Sequence, residues 1–84
     1  MIKRKELKNM YENYKENFRM NIRALLRENN MSQGDLGKEI NKNVSHINGI
    51  LNGHNNPTLD FVIQCAEYFK VSVDTLLFTN IEDR

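Results

Sequence analysis

The chain has 84 residues and a formal net charge of +1; 27% of its residues are charged and 39% are hydrophobic. This length allows one hydrophobic core and excludes two, and the lack of a long apolar run excludes a transmembrane span. A single cysteine, Cys65, excludes an internal disulfide, so we expect a reduced, cytoplasmic protein.

The small net charge hides an asymmetry along the chain. Up to Asn30 there are eight basic and four acidic residues, whereas from Met31 onward there are four basic and seven acidic residues. Contacts to nucleic-acid phosphates would therefore come mainly from the N-terminal third. The charge of the whole chain is too small for tight nonspecific binding to DNA.

Residues 1–16 form a basic extension that is predicted to be helical. Its large apolar side chains, together with the first one of the next segment, recur at helical spacing: Leu7, Tyr11, Tyr14 and Phe18. The segment is either a separate helix or a prolongation of the first helix of the domain. Three roles remain open for it: a partly ordered helix whose aromatic residues lie on the domain, a dimerising helix, or a basic arm in a DNA groove.

Helical periodicity predicts an all-α domain of five helices over residues 17–80, followed by a C-terminal tail at 81–84. The first helix should run from about Asn17 to Glu28. Its predicted inward residues are Phe18, Ile22, Leu25 and Leu26.

The next stretch, Met31 to Gly53, has the pattern of two short helices joined by a tight turn. Ser32 and Asp35 have the spacing of a capping box, Asn41 tolerates a left-handed backbone, and Asn43 can cap the next helix. A small residue, Gly37, would allow close approach of the two helices. Together these features predict a helix-turn-helix.

Two further helices complete the pattern. Thr58 should cap a fourth helix, and Ser72 should begin a short fifth helix that carries Leu76 and Leu77. The predicted buried stripe of the fourth helix is Leu59, Val62, Ile63, Ala66 and Phe69.

The third helix has a polar outer face that could contact DNA. A helical wheel directs Ile47, Ile50 and Leu51 inward. The residues then placed on the outer side or its flank are Ser45, His46, Asn48, Gly49 and Asn52. None is acidic, and asparagine, serine and histidine can all bond to base edges in the major groove. The alternative is an ordinary solvated helix face.

The spacing of these residues resembles the phage-repressor (Cro-like or XRE-like) helix-turn-helix family. The resemblance covers about three quarters of the chain, from near Phe18 to Leu77, and implies a lambda-repressor-like DNA-binding fold. The matching positions are Gln33, Leu36, Gly37, Ile40, Ile47, Ile50, Gly53, Asn56, Pro57 and Leu59.

The resemblance also implies which residues contact DNA. The expected base contacts are Val44, Ser45, His46, Asn48 and Gly49. The expected phosphate contacts are Gln33, Lys42, Asn43, Asn52, His54 and Asn55. No cofactor, metal or small-molecule ligand is implied.

Three positions depart from the family pattern. Val44 is apolar where a polar base reader is common, and could touch a thymine methyl or pack inward. Gly49 has no side chain, so it permits close backbone approach or marks lost base recognition. Lys42 stands at a turn position that is usually apolar, where its stem could cover the gap.

The predicted function is sequence-specific binding to double-stranded DNA by a small regulator, repressor-like and homodimeric, of the prophage, plasmid or mobile-element type. The alternative is a protein-interaction module on the same fold, such as an antitoxin that mainly binds a partner protein. An enzyme is not expected, because no nucleophile–base set or glycine-rich phosphate loop is present. Dimerisation could use the C-terminal cluster of Leu76, Leu77, Phe78 and Ile81, or the N-terminal stripe.

Overall fold

Five helices and a short 3-10 turn follow one another in the computed structural model, which describes the backbone of residues 4–83 and the side chains of residues 13–82. No strand occurs within this described part, so the all-α prediction is confirmed. The helices are α1, Arg4–Glu28; α2, Gln33–Ile40; α3, Val44–Leu51; α4, Leu59–Phe69; and α5, Val73–Phe78, and the turn is Ile81–Asp83.

The first helix is longer than the predicted domain helix. It is continuous from Arg4 to Glu28, so the basic extension prolongs the helix and does not form a separate one. The sequence has no glycine or proline over this range that would interrupt the helix. The side chains of Leu7 and Tyr11 lie outside the described part, so the proposed N-terminal dimerising stripe stays a prediction.

The core forms where α1 crosses α4. The ring of Phe18 meets that of Phe61 edge-on, with 5.6 Å between the ring centroids. All four inward residues predicted for α1 are buried. Ala24 of α1 and Ile81 of the 3-10 turn also belong to the core, and its other side chains come from α2 to α5: Leu36, Ile47, Ile50, Leu51, Val62, Cys65, Ala66 and Leu76.

The predicted stripe of α4 was only partly correct. Leu59 and Ile63 are 72% and 40% exposed, whereas Phe61 is fully buried. Residues two positions apart on a helix point roughly 200° apart, so burying Phe61 turns both neighbours outward. Cys65 is buried on the inner side, and this burial raises the pKa of its thiol to about 12, which keeps it protonated near neutral pH.

The segment after α5 belongs to the domain, whereas the sequence predicted a tail at 81–84. Ile81 is 1% exposed, and its N–H donates to the Asn21 side-chain oxygen at 2.9 Å. The amide nitrogen of the buried Asn21 donates to the carbonyls of Leu76 and Thr79, both at 2.8 Å. A single side chain of α1 therefore fixes the carboxyl end of α5 and the chain beyond it.

Candidate nucleic-acid interface

The turn between α2 and α3 has the local geometry that its sequence predicted. Ser32 and Asp35 form a reciprocal capping box at the start of α2. The backbone N–H of Ser32, and to a lesser degree its hydroxyl, lowers the pKa of Asp35. Asn41 ends α2 in a left-handed conformation with φ 55°, and the Asn43 side chain accepts from the Ser45 N–H at 2.7 Å. Each cap supplies partners for backbone groups that a helix end leaves open.

Gly37 sets how closely the two helices approach. A Cβ at this position would lie 2.6 Å from the Lys42 carbonyl oxygen and 3.4 Å from Cδ1 of Ile47. The first distance is too short for any side chain, and its partner is a backbone atom. The absence of a side chain at Gly37 therefore allows α3 to pack this closely against α2.

The outward face of α3 presents uncharged side chains to solvent. Ser45, His46 and Asn48 are exposed, and Val44 is 46% exposed. Val44 thus lies outward, which leaves it free to touch a base methyl group. These four residues are therefore not covered by the described part of the chain.

Gly49 does not lie on that outward face, so its predicted placement was wrong. It is buried, and a Cβ there would lie 2.5 Å from the side-chain nitrogen of Asn55. The N–H groups of His54 and Asn55 both donate to the Gly49 carbonyl, at 2.9 and 3.1 Å. The loop after α3 folds back over this glycine, and Asn55 occupies the surface where Gly49 was expected.

Replacing Gly49 by alanine should therefore be tolerated. The new methyl group displaces only the far end of the Asn55 side chain, while alanine favours helix by up to about 1 kcal/mol. We expect unchanged or slightly higher stability in urea unfolding. Asn55→Ala, which removes the opposing amide, should increase the gain from Gly49→Ala. A loss of stability beyond about 1 kcal/mol in the single variant would mean that the loop cannot adjust.

The six predicted phosphate contacts differ in their surroundings. Gln33 is half-buried at the start of α2, whereas Asn43, Asn52, His54 and Asn55 are exposed. Lys42 is directed elsewhere, because its ammonium nitrogen lies 5.3 Å from the centroid of the Phe61 ring. Such a position is typical of a cation–π contact, so Lys42 would have to leave Phe61 in order to reach DNA.

Two arginines of α1 join the site, and neither was predicted from the sequence. Arg19 donates through Nε to the Ile50 carbonyl at 2.8 Å, and Arg23 donates through Nη2 to the Leu51 carbonyl at 2.7 Å. Both cations donate to carbonyls at the carboxyl end of α3, which is the negative end of its dipole. Arg19 and Arg23 are four residues apart and lie beside the inward face of α1. This spacing is the feature of the sequence that could have identified them.

Arg23 also begins a line of side-chain amides along the interface. Its Nη2 donates to Oδ1 of Asn52 at 2.9 Å, and Nδ2 of Asn52 donates to Oδ1 of Asn48 at 2.8 Å. Nδ2 of Asn48 then donates to Oε1 of Gln33 at 3.1 Å. Asn52, Asn48 and Gln33 thus form a hydrogen-bonded row of side-chain amides, the amide line.

Other kinds of site find little support in the described residues. Over residues 4–83 no helix is long and apolar enough to cross a membrane. No group of three or more histidine, cysteine or acidic side chains in the same part of the chain could hold a metal ion.

Comparison with known families gives one match, to a family model described as helix-turn-helix, over residues 22–76. This range runs from within α1 to within α5 and so includes the helix-turn-helix and the core around it. No curated protein and no solved structure matches the chain.

Proposed function

Because the chain belongs to the XRE (Cro-like) helix-turn-helix family of DNA-binding regulators, we propose that it is a sequence-specific repressor with α3 in the major groove. The exposed, uncharged outer face of α3 carries this proposal. A helix of this width enters the major groove, where base edges present donors and acceptors. Such a role would place the protein at the nucleoid, in the cytoplasm of a prokaryote.

Ser45, His46 and Asn48 are the proposed base contacts, with Val44 against a thymine methyl group. Gln33 and Asn52 would contact phosphates, together with His54 and the surface formed by Asn55. Lys42 and Asn43 are weaker candidates, since Lys42 lies against Phe61 and the Asn43 oxygen caps α3. Gly49 is not a proposed base contact, because it is buried.

A salt titration with a duplex selected from a random pool tests DNA binding. Few cations lie near α3, so we expect log K to fall with log salt with a slope of only about −2 to −4 per protomer. Asn48→Ala should weaken binding to the selected duplex about 5- to 150-fold and weaken binding to mixed DNA much less. Glu67→Ala, an exposed change on α4, is the control. If the random pool yields no duplex that binds at low salt, a protein-interaction module would be favoured.

We further propose that the protein binds a palindromic operator as a homodimer, with half-sites about one helical turn apart. Two of the four residues predicted for the C-terminal dimer surface, Leu76 and Ile81, are core residues and are not accessible to a partner. Phe78, which is 45% exposed, and the half-buried Leu77 remain available.

Phe78→Glu should convert the dimer into a monomer in sedimentation experiments. A charged side chain at a desolvated interface lacks a partner and is costly to bury. Asp74→Ala, an exposed change on the same helix, should leave the dimer intact. A Phe78→Glu protein that still dimerises would direct attention to the N-terminal part of α1.

A further inference from the structure

In the amide line, the residue at one end determines which way each side-chain amide is turned. This common orientation is the direction of the line. A guanidinium group has only donors and stays charged, so Arg23 cannot accept a hydrogen bond. Asn52 must therefore turn its oxygen toward Arg23 and its nitrogen toward Asn48. The same requirement passes along the line, so the Asn48 nitrogen faces Gln33. Without a cation at one end, all three amides could reverse together.

Arg23 is held in place independently of the amide line. The nitrogen that contacts Asn52 also donates to the Leu51 carbonyl at 2.7 Å, in a partly buried contact. Its helix, α1, packs on the core through Ile22 and Leu26, which flank this residue. The starting point of the line is thus fixed by the fold and not by α3 alone.

The other end of the line is Gln33, at the start of α2. Its Oε1 is used by Asn48, and no hydrogen bond among the described side chains uses its Nε2. Both amino hydrogens of Gln33 therefore remain for a ligand. Gln33 faces the surface as a donor, although a glutamine amide by itself could present either a donor or an acceptor.

We propose that Arg23 is a positioning residue for DNA recognition, which acts through Asn52 and Asn48 so that Gln33 presents donors to an acceptor on DNA. This inference rests on the proposed function. Acceptors near a docked helix start are phosphate oxygens and, in the major groove, purine N7 and guanine O6. When docking excludes water, the exposed hydrogen bonds of the line strengthen, so its direction matters most in the complex.

The amide line can be tested first without DNA, in the full chain. Arg23→Met removes the donor and should shift the side-chain NH2 signals of Asn52, Asn48 and Gln33 in NMR spectra. Arg27→Met is the matched control, since Arg27 is an exposed α1 arginine that pairs with Glu82 and the charge change is identical. If Arg23→Met moves the Asn52 signal alone, orientation does not pass along the line and the proposal fails.

The role in recognition is tested by a double-mutant cycle on a duplex selected by the wild-type protein. Gln33→Ala should cost about 3- to 10-fold in affinity in the wild-type background. Its cost should largely vanish in Arg23→Met, because Gln33 is then no longer oriented. In the Arg27→Met background the effects should multiply within about twofold. Independent effects of Arg23→Met and Gln33→Ala would overturn the proposal.

Two modified duplexes identify the acceptor. If Gln33 contacts a phosphate, Gln33→Ala loses sensitivity to an uncharged methylphosphonate at one position. If it contacts a purine, the variant loses sensitivity to one 7-deazapurine. Loss of neither sensitivity would exclude a phosphate and a purine N7 as the acceptor, and the double-mutant cycle would still decide whether Arg23 acts through Gln33. Failure of the wild-type protein to bind any duplex would overturn the proposed function and the DNA role of Gln33, whereas the NMR result would still decide the direction of the line.

Discussion

Replacing Asn21 by leucine should lower the free energy of unfolding by about 2–4 kcal/mol, a large share of the stability of a domain of this size. The Asn21 side chain is 1% exposed and serves the carbonyls of Leu76 and Thr79 and the N–H of Ile81. Leucine has a similar size but no polar atoms, so these backbone groups would lose their partners. Urea unfolding followed by circular dichroism measures the effect.

The same face of α1 provides two comparisons for this change. Among the described residues, the Asn17 side chain makes one hydrogen bond, to the Leu77 carbonyl at 2.9 Å and partly buried, so Asn17→Leu should cost about 0.5–1.5 kcal/mol. Asn13 is exposed, so Asn13→Leu should have little effect. Equal stabilities for the Asn21 and Asn13 variants would show that the backbone groups around α5 find other partners.

Gly37→Ala should lower stability by about 1–3 kcal/mol in spite of the higher helix propensity of alanine. The added methyl group would lie 2.6 Å from the Lys42 carbonyl, so the turn would have to move and α3 would move with it. Because base contacts depend on hydrogen-bond geometry, affinity for a selected duplex should also fall, by about tenfold or more. Urea unfolding and a binding titration measure the two losses.

Gly34, in the same helix, is the matched control. A Cβ there would have Oγ of Ser32, at 3.6 Å, as its nearest neighbour, which is an ordinary contact. Gly34→Ala should therefore raise stability by up to about 1 kcal/mol. If both glycine variants were equally stable, the approach of α2 and α3 would not depend on Gly37.

Local structure was predictable from the sequence because its causes are local. Ser32, Asn43 and Thr58 were expected as caps, and each accepts the expected backbone N–H. Asn41 has the left-handed backbone that its sequence suggested, with φ 55°. These residues act within a few positions of themselves, so a sequence pattern is sufficient to identify them.

Contacts between distant segments were not predictable in the same way. Arg23 appeared in the sequence only as one of several N-terminal charges, and Gly49 as an outward position on a helical wheel. The role of Arg23 depends on where α1 lies relative to α3, since Arg23 and Leu51 are separated by 28 residues in the sequence. The role of Gly49 depends on how the loop after α3 folds back. The resemblance to a family supplied the fold and the recognition helix, whereas the roles of Arg23 and Gly49 depend on the three-dimensional structure.

The position of Asn21 has a practical consequence for anyone who defines the limits of this domain. The family match spans residues 22–76, yet Asn17, Arg19 and Asn21 precede that range and Ile81 follows it. These residues complete the carboxyl ends of α3 and α5. A protein trimmed to residues 22–76 would leave backbone groups at two helix ends without their hydrogen-bond partners, so expression and design should retain at least residues 17–81.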